Sequence, residues 1–205
     1  MDTDLFVAWF EETARLVREE RDRLTRLDAA IGDADHGTNL DRGLTEVCKA
    51  LADSAPESPA AVLTTAGTTL IRRVGGASGP LYGSVFRQMG KALLTPVTLA
   101  GFSAAFEAGV VAVERLGKAA LGDKTMVDAL APASRALALA VRDGVSVREA
   151  LDQAARAAAE GAKATIPMQA RKGRASYLGE RSIGHEDPGA ASAVLFMTAL
   201  ATVAG

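Results

Sequence analysis

Asp28, Asp33 and Asp35 crowd into the run Leu27-Asp28-Ala29-Ala30-Ile31-Gly32-Asp33-Ala34-Asp35-His36-Gly37, with no basic residue among them. Crowded carboxylates raise each other's pKa unless a positive charge sits between them, and hard oxygen ligands favour Mg²⁺ or Ca²⁺ over a soft metal. The calcium loop of an EF-hand requires carboxylates at alternate positions, a central glycine and a closing glutamate. Neither the alternation nor the glutamate is present here. Mg²⁺ keeps several waters and usually shares one or two carboxylates with substrate phosphates, so the run reads as half of a coordination sphere that a nucleotide completes. A purely structural reading stands beside it, in which Asp28 ends a helix and Asp33 and Asp35 are turn and N-cap residues.

Three other segments carry chemistry. Val74-Gly75-Gly76-Ala77-Ser78-Gly79-Pro80-Leu81-Tyr82-Gly83 joins two helical stretches, with Pro80 expected in a first helical turn. It offers backbone N–H groups, a hydroxyl and a helix N-terminus with little side-chain bulk, which suits close approach of a phosphate or a flat base. It is neither a Walker A loop nor a Rossmann fingerprint, and a tight inter-helix turn explains it equally well. From about Pro167 to Pro188 the chain has glycines at 173, 179 and 184 and no helical apolar stripe. Loops of about 20 residues in compact domains are usually lids, binding loops or disordered. Its cations Arg171, Lys172, Arg174 and Arg181 suit phosphate oxygens, and surface solvation is the plainer alternative. It ends in Asp187-Pro188-Gly189, an expected N-cap with proline at the first helical position. Both histidines, His36 and His185, lie in these loops, as a base, a metal ligand or a hydrogen-bonding anchor. In Gly117-Lys118-Ala119-Ala120-Leu121-Gly122-Asp123-Lys124-Thr125-Met126, Asp123 reads as an N-cap, and Thr125 and Met126 either line a base pocket or merely pack.

The elements that must hold these segments are helical. Leu5, Phe6, Trp9, Phe10, Leu16, Val17, Leu24 and Leu27 recur at three- and four-residue spacing between charged residues, which predicts a long amphipathic first helix. The same rule predicts helices near 38–53, 58–74, 80–95, 98–117, 124–142, 146–165 and 188–204. Alanine is abundant within them, and alternating β-branched runs are missing. Short connections favour antiparallel neighbours, hence an all-α up-and-down bundle or closed ring. At 205 residues without a compositional break, residues 1–205 are expected to form a single domain. Lys plus Arg number 23 and Asp plus Glu 25, so there is no electrostatic case for nucleic acid or a membrane surface. The lone Cys48, the lack of a leader and the lack of a spanning segment lead us to expect a soluble, cytoplasmic protein.

Taken in order, Ile31 to Gly37, Gly75 to Gly83, Gly122 to Met126, and Lys172 to His185 with Asp187 to Gly189 resemble the nucleotide-binding DhaL-type L subunit of bacterial dihydroxyacetone kinase. The resemblance covers nearly the whole chain and departs from the pattern at no matching position. It implies eight antiparallel helices in a closed barrel, with ADP or ATP held by the loops at one end. It implies that Asp28, Asp33 and Asp35 bind two Mg²⁺ ions. The nucleotide contacts it implies are His36, Gly37, Thr38 and Asn39 beside the metals, Ala77 and Ser78 in the glycine turn, and Gly117, Thr125 and Met126 near the base. Arg174 falls on the phosphates as the catalytic cation, and Asp187, Pro188 and Gly189 lie at the last helix.

The implied partners are a K subunit that holds dihydroxyacetone on its own histidine and a phosphotransferase-system subunit that rephosphorylates ADP in place. An ATP-exchanging kinase for a related triose or tetrose, and a non-catalytic Mg-nucleotide regulatory protein, stay open as alternatives. No nucleophile is required of this chain.

Overall fold

Eight helices carry the chain in a computed structural model that describes residues 1–205. They are α1 (Thr3–Ile31), α2 (His36–Ser54), α3 (Pro59–Arg73), α4 (Ser78–Ala92), α5 (Leu99–Gly117), α6 (Val127–Asp143), α7 (Val147–Ala164) and α8 (Pro188–Val203). Each lies where the apolar spacing predicts it, and no strand is present. Helix α4 begins at Ser78, so Pro80 sits third in it; its missing N–H is still one that a first turn leaves unpaired. The 165–187 connection departs from the expectation of a structureless loop. It holds a 3-10 segment, Arg174–Ser182, kinked at Gly179. Short 3-10 turns have no 3.6-residue stripe, so hydrophobic spacing does not reveal them.

Consecutive helices pack side by side all the way round, and α8 packs on α1, so the eight close into a ring. An even number of helices joined this way closes with every neighbour antiparallel. The α1–α2, α3–α4, α5–α6 and α7–α8 connections therefore share one mouth of the ring, and the remaining three share the other.

Side chains fill the interior. Phe6, Trp9 and Phe10 from α1 meet Phe86 of α4, Phe102 of α5 and Phe196 of α8 within a continuous core of 46 buried residues. Phe86 lies edge-on to Phe10 at 4.9 Å and to Trp9 at 5.5 Å, and the Trp9 indole N–H donates to the Phe196 carbonyl at 2.7 Å. Phe86→Ala is expected to cost about 3–5 kcal/mol through lost burial and a cavity. A urea titration followed by fluorescence of Trp9, the only tryptophan, measures this. Elsewhere small residues bring helices together: a Cβ on Gly83 would meet the Gly67 carbonyl oxygen of α3 at 2.6 Å, so α3 and α4 touch backbone to backbone. No helix is long and apolar enough to cross a membrane.

The two mouths differ in how their helix N-termini are finished. At the far mouth the side chains of Asp2, Ser58, Thr98 and Ser146 accept N–H groups of α1, α3, α5 and α7. At the near mouth the N-cap residues of α2, α4 and α6, namely Asp35, Ala77 and Met126, make no side-chain cap bond, and only Asp187 caps its helix. Asp28 takes the first N–H of α2 and the Thr125 hydroxyl that of α6, so α4 is left with its first-turn N–H donors and the positive end of its dipole open to an anion.

Candidate functional site

Asp28 ends α1 on its buried side, and its Oδ2 accepts the backbone N–H groups of Asp35 at 2.8 Å and His36 at 3.1 Å. One carboxylate thus draws the start of α2 onto the end of α1 and sets the turn that carries Asp33 and Asp35. Gly32 makes room for it, because a Cβ there would collide with the Asp28 carboxylate. Oxygens of Asp28, Asp33 and Asp35 come within 4.8 Å of one another, with Asp33 and Asp35 facing solvent. The capping reading therefore accounts for Asp28 in part and fails for Asp35, whose carboxylate caps nothing. Hard oxygens this close fit a divalent cation of the Mg²⁺ type.

The cluster is not free of positive charge, as the sequence alone had it. Arg174 reaches from the 3-10 segment to Asp33, Nη2 to Oδ2 at 3.0 Å. Arg174 stands there because Ala170 and Ala175 pack on Ile31 at the end of α1 in a small core of their own, joined by Leu178. Of the other loop cations, Lys172 faces the same cleft, whereas Arg171 and Arg181 do not line it.

The cleft holds a volume of about 180 Å³ and is walled by Asp28, Asp33, Asp35 and His36, the Gly75 to Ser78 turn, Lys124 to Met126, Lys172 to Ala175 and Asp187 to Gly189. It continues into a more apolar slot of about 330 Å³ between Pro80, Leu81, Val113, Leu116, Gly117, Ala119, Met126 and Val127. Of the residues expected at a nucleotide site, His36, Ala77, Ser78, Thr125, Met126, Arg174, Asp187, Pro188 and Gly189 come together on the cleft, and Gly117 on the slot. Gly37, Thr38 and Asn39 do not line either. Gly37 packs on the Arg21 carbonyl, Thr38 is exposed, and Asn39 lies against Gly75 and accepts from Arg42.

His36 is buried between two hydroxyls, Nδ1 at 3.0 Å from Ser78 Oγ and Nε2 at 2.8 Å from Ser192 Oγ. Tyr82 continues the chain, its hydroxyl 2.6 Å from Ser192 Oγ and donating to the Gly189 carbonyl at 3.1 Å. Burial pushes the imidazole below its ordinary value against the pull of Asp28 and Asp35. At neutral pH it is therefore uncharged, with one ring nitrogen donating and the other accepting. His185 contributes its carbonyl, not its ring, to the site's hydrogen bonds.

Sequence reasoning misplaced one cap and missed several supports. Asp123 accepts the Ala120 N–H and does not cap α6; Asp128, inside α6, gathers the Gly122 and Thr125 N–H groups instead. Ser192 and Tyr82, and Lys124 as a buried ammonium, bear no local signal of their roles, since partners across the ring define each of them. Asp187 caps α8 by accepting the Ala190 N–H at 2.7 Å. Burial raises its carboxyl to about 7, opposed by that N–H, with Asp128 and Asp28 adding to the rise and Lys124 opposing it.

A carboxyl raised on folding binds its proton more tightly in the folded state. It therefore makes stability fall as pH rises from its ordinary 3.8 to about 7. Asp187→Asn keeps the cap acceptor and is expected to flatten that portion of the stability profile. Urea denaturation of the metal-free protein at stepped pH measures it, and an unchanged slope would show that Asp187 is ionised throughout.

Fold and site together define a class: an all-α closed ring with a carboxylate cluster, an open helix N-terminus and a cationic loop around a cleft at one mouth. A family model described as the DAK2 domain matches residues 30–202, and the chain belongs to that family. It is 44% identical over 200 residues to the ADP-binding subunit DhaL of the PEP-dependent dihydroxyacetone kinase of Escherichia coli K12, covering 97% of this chain and 95% of that one. To the ADP-binding subunit DhaL of the PTS-dependent kinase of Lactococcus lactis it is 41% identical over 202 residues, 98% of each chain. Among solved structures it resembles the dihydroxyacetone kinase of C. freundii in complex with AMP-PNP and Mg²⁺, with a TM-score of 0.73 and 25% identity. That match covers 98% of this chain and 34% of the other, so the chain spans about a third of that enzyme.

Proposed function

We propose that residues 1–205 act as one nucleotide-binding unit, the ADP/ATP-holding subunit of a dihydroxyacetone kinase, which donates a phosphoryl group to dihydroxyacetone held on a separate K subunit. The observation that carries this reading is the convergence of Asp28, Asp33 and Asp35 at the mouth of a polar cleft that runs on into an apolar slot. A nucleotide has that same division between phosphates and base. Asp28, Asp33 and Asp35 would hold Mg²⁺, two ions by the family resemblance. When bound, the metal supplies charge neutralisation across the phosphate oxygens. The N–H of Ser78, which no cap satisfies, orients the phosphates at the start of α4, with the Ser78 hydroxyl held in place by His36. Leu81, Gly117, Thr125 and Met126 flank the base. Arg174 neutralises charge that grows on the transferring group, so this chain works by positioning and electrostatics and contributes no nucleophile.

Relatives that match over nearly their full length include PEP- and PTS-dependent subunits, which supports a phosphotransferase-system protein as the donor that restores ATP in place. Reconstitution tests both partners. Mixed with a K subunit, the ADP-loaded chain is expected to phosphorylate dihydroxyacetone when a phosphohistidine donor is present and to turn over poorly on free ATP. Turnover on ATP alone at the full rate would reassign the donor, and no turnover with either would remove the kinase reading.

A further inference from the structure

We propose that Lys124 is a positioning residue for phosphoryl transfer: its ammonium ties the two ends of the 165–187 loop together and so fixes Arg174 over the carboxylate cluster. The inference rests on the reading of the cleft given above. Lys124 is 1% exposed, yet its ammonium forms no ion pair. It donates to the Thr165 carbonyl at 2.7 Å, to that of Ile166 at 3.5 Å, and to that of His185. The first two carbonyls lie where the loop leaves α7, and the third lies where it returns to α8. Burying an ammonium is costly unless its donors are met, and three carbonyls meet all three.

Two further bonds close the same stem: Gly184 N–H donates to the Ile166 carbonyl at 2.8 Å, and Asp187 N–H to the Thr165 hydroxyl at 3.0 Å. Beyond the stem, Arg171 N–H donates to the Asp123 carbonyl, the residue before Lys124, at 3.0 Å. The loop body is thus pinned at two places, by Lys124 and Asp123 at its base and by Ala170 and Ala175 on Ile31 near its tip. Arg174 lies between these anchors, and its own side chain is 70% exposed. An exposed guanidinium holds one position over Asp33 only as well as the backbone beneath it is held.

Although Lys124 belongs to the cleft wall, its ammonium is buried on three loop carbonyls and touches neither Arg174 nor the aspartates, so its effect on transfer runs through the loop. In Lys124→Met, amides between residues 170 and 183 are expected to exchange about tenfold faster or more, read by hydrogen exchange on the chain alone. With the K subunit and a phosphoryl donor, kcat is expected to fall about tenfold while ADP affinity moves by less than about threefold. Arg174→Ala introduced on top is expected to add much less than it does alone, because both changes remove one function. Unchanged exchange, or losses that simply multiply, would overturn the proposal. Should Lys124→Met fail to fold, Lys124→Gln, which retains a shorter neutral donor, is read by the same criteria. The exchange result needs no nucleotide or partner, so faster exchange in a chain that transfers no phosphoryl group would count against the cleft reading and leave the clamp standing.

Discussion

Asp33→Ala is expected to weaken ADP binding in Mg²⁺ by on the order of 100-fold or more while leaving the fold intact. Asp33 carries no cap and no backbone hydrogen bond; its partner is the exposed Arg174, and pairs so open to solvent contribute about 0–1 kcal/mol to stability. What its removal takes away is one of three oxygens in a cluster whose other members cannot move to compensate. Asp28 is fixed by two backbone N–H groups, and Asp35 by its place at the start of α2. The loss should therefore appear in ligand binding and not in the unfolding midpoint. Calorimetry of ADP at constant free Mg²⁺, beside a urea titration, separates the two. Unchanged ADP affinity would remove Asp33 from the metal site.

Arg174→Ala is expected to act on a different quantity. Its guanidinium rests on Asp33, so a cation at the cluster would compete with it for that carboxylate. With Asp33 committed to a cation, the Arg174 fork would be released toward phosphate oxygens. A cation of this kind supplies little to ground-state binding and much to the charge that spreads during transfer, where loss of such an arginine costs about 10³-fold or more. Transfer to dihydroxyacetone on the K subunit should slow by that order, with ADP affinity changed by no more than severalfold. Arg174→Lys should recover only part of the rate, since an ammonium lacks the planar fork. A variant with wild-type turnover would exclude Arg174 from the transferring group.

Why this much of the molecule was legible follows from where its information lies. Phe6, Trp9, Phe10, Val17 and Leu24 mark α1 by spacing alone, and the ring follows from eight such stripes joined by short turns. Asp28, Asp33 and Asp35 were legible because one turn holds all three. Their neutralising partner was not, because Arg174 arrives from the far end of the chain on a 3-10 segment with no periodic stripe. The cap of α6 was misread for a related reason: Asp123 precedes a helical run, but Asp128 competes for the same N–H groups from within it. His36, Ser192 and Tyr82 form buried polar contacts across helices that adjoin only after the ring closes, and Lys124 meets carbonyls at both ends of the distant loop between α7 and α8. Sequence shows such residues as isolated polar positions; topology gives them partners.

If Asp28, Asp33 and Asp35 hold the nucleotide through Mg²⁺, binding of metal and of ADP must be linked. ADP affinity of the wild-type chain, measured by calorimetry from EDTA up to millimolar free Mg²⁺, should rise steeply with the metal and be nearly lost in EDTA, with Asp33→Ala showing little of that rise. The same ADP affinity in EDTA as in Mg²⁺ would contradict it.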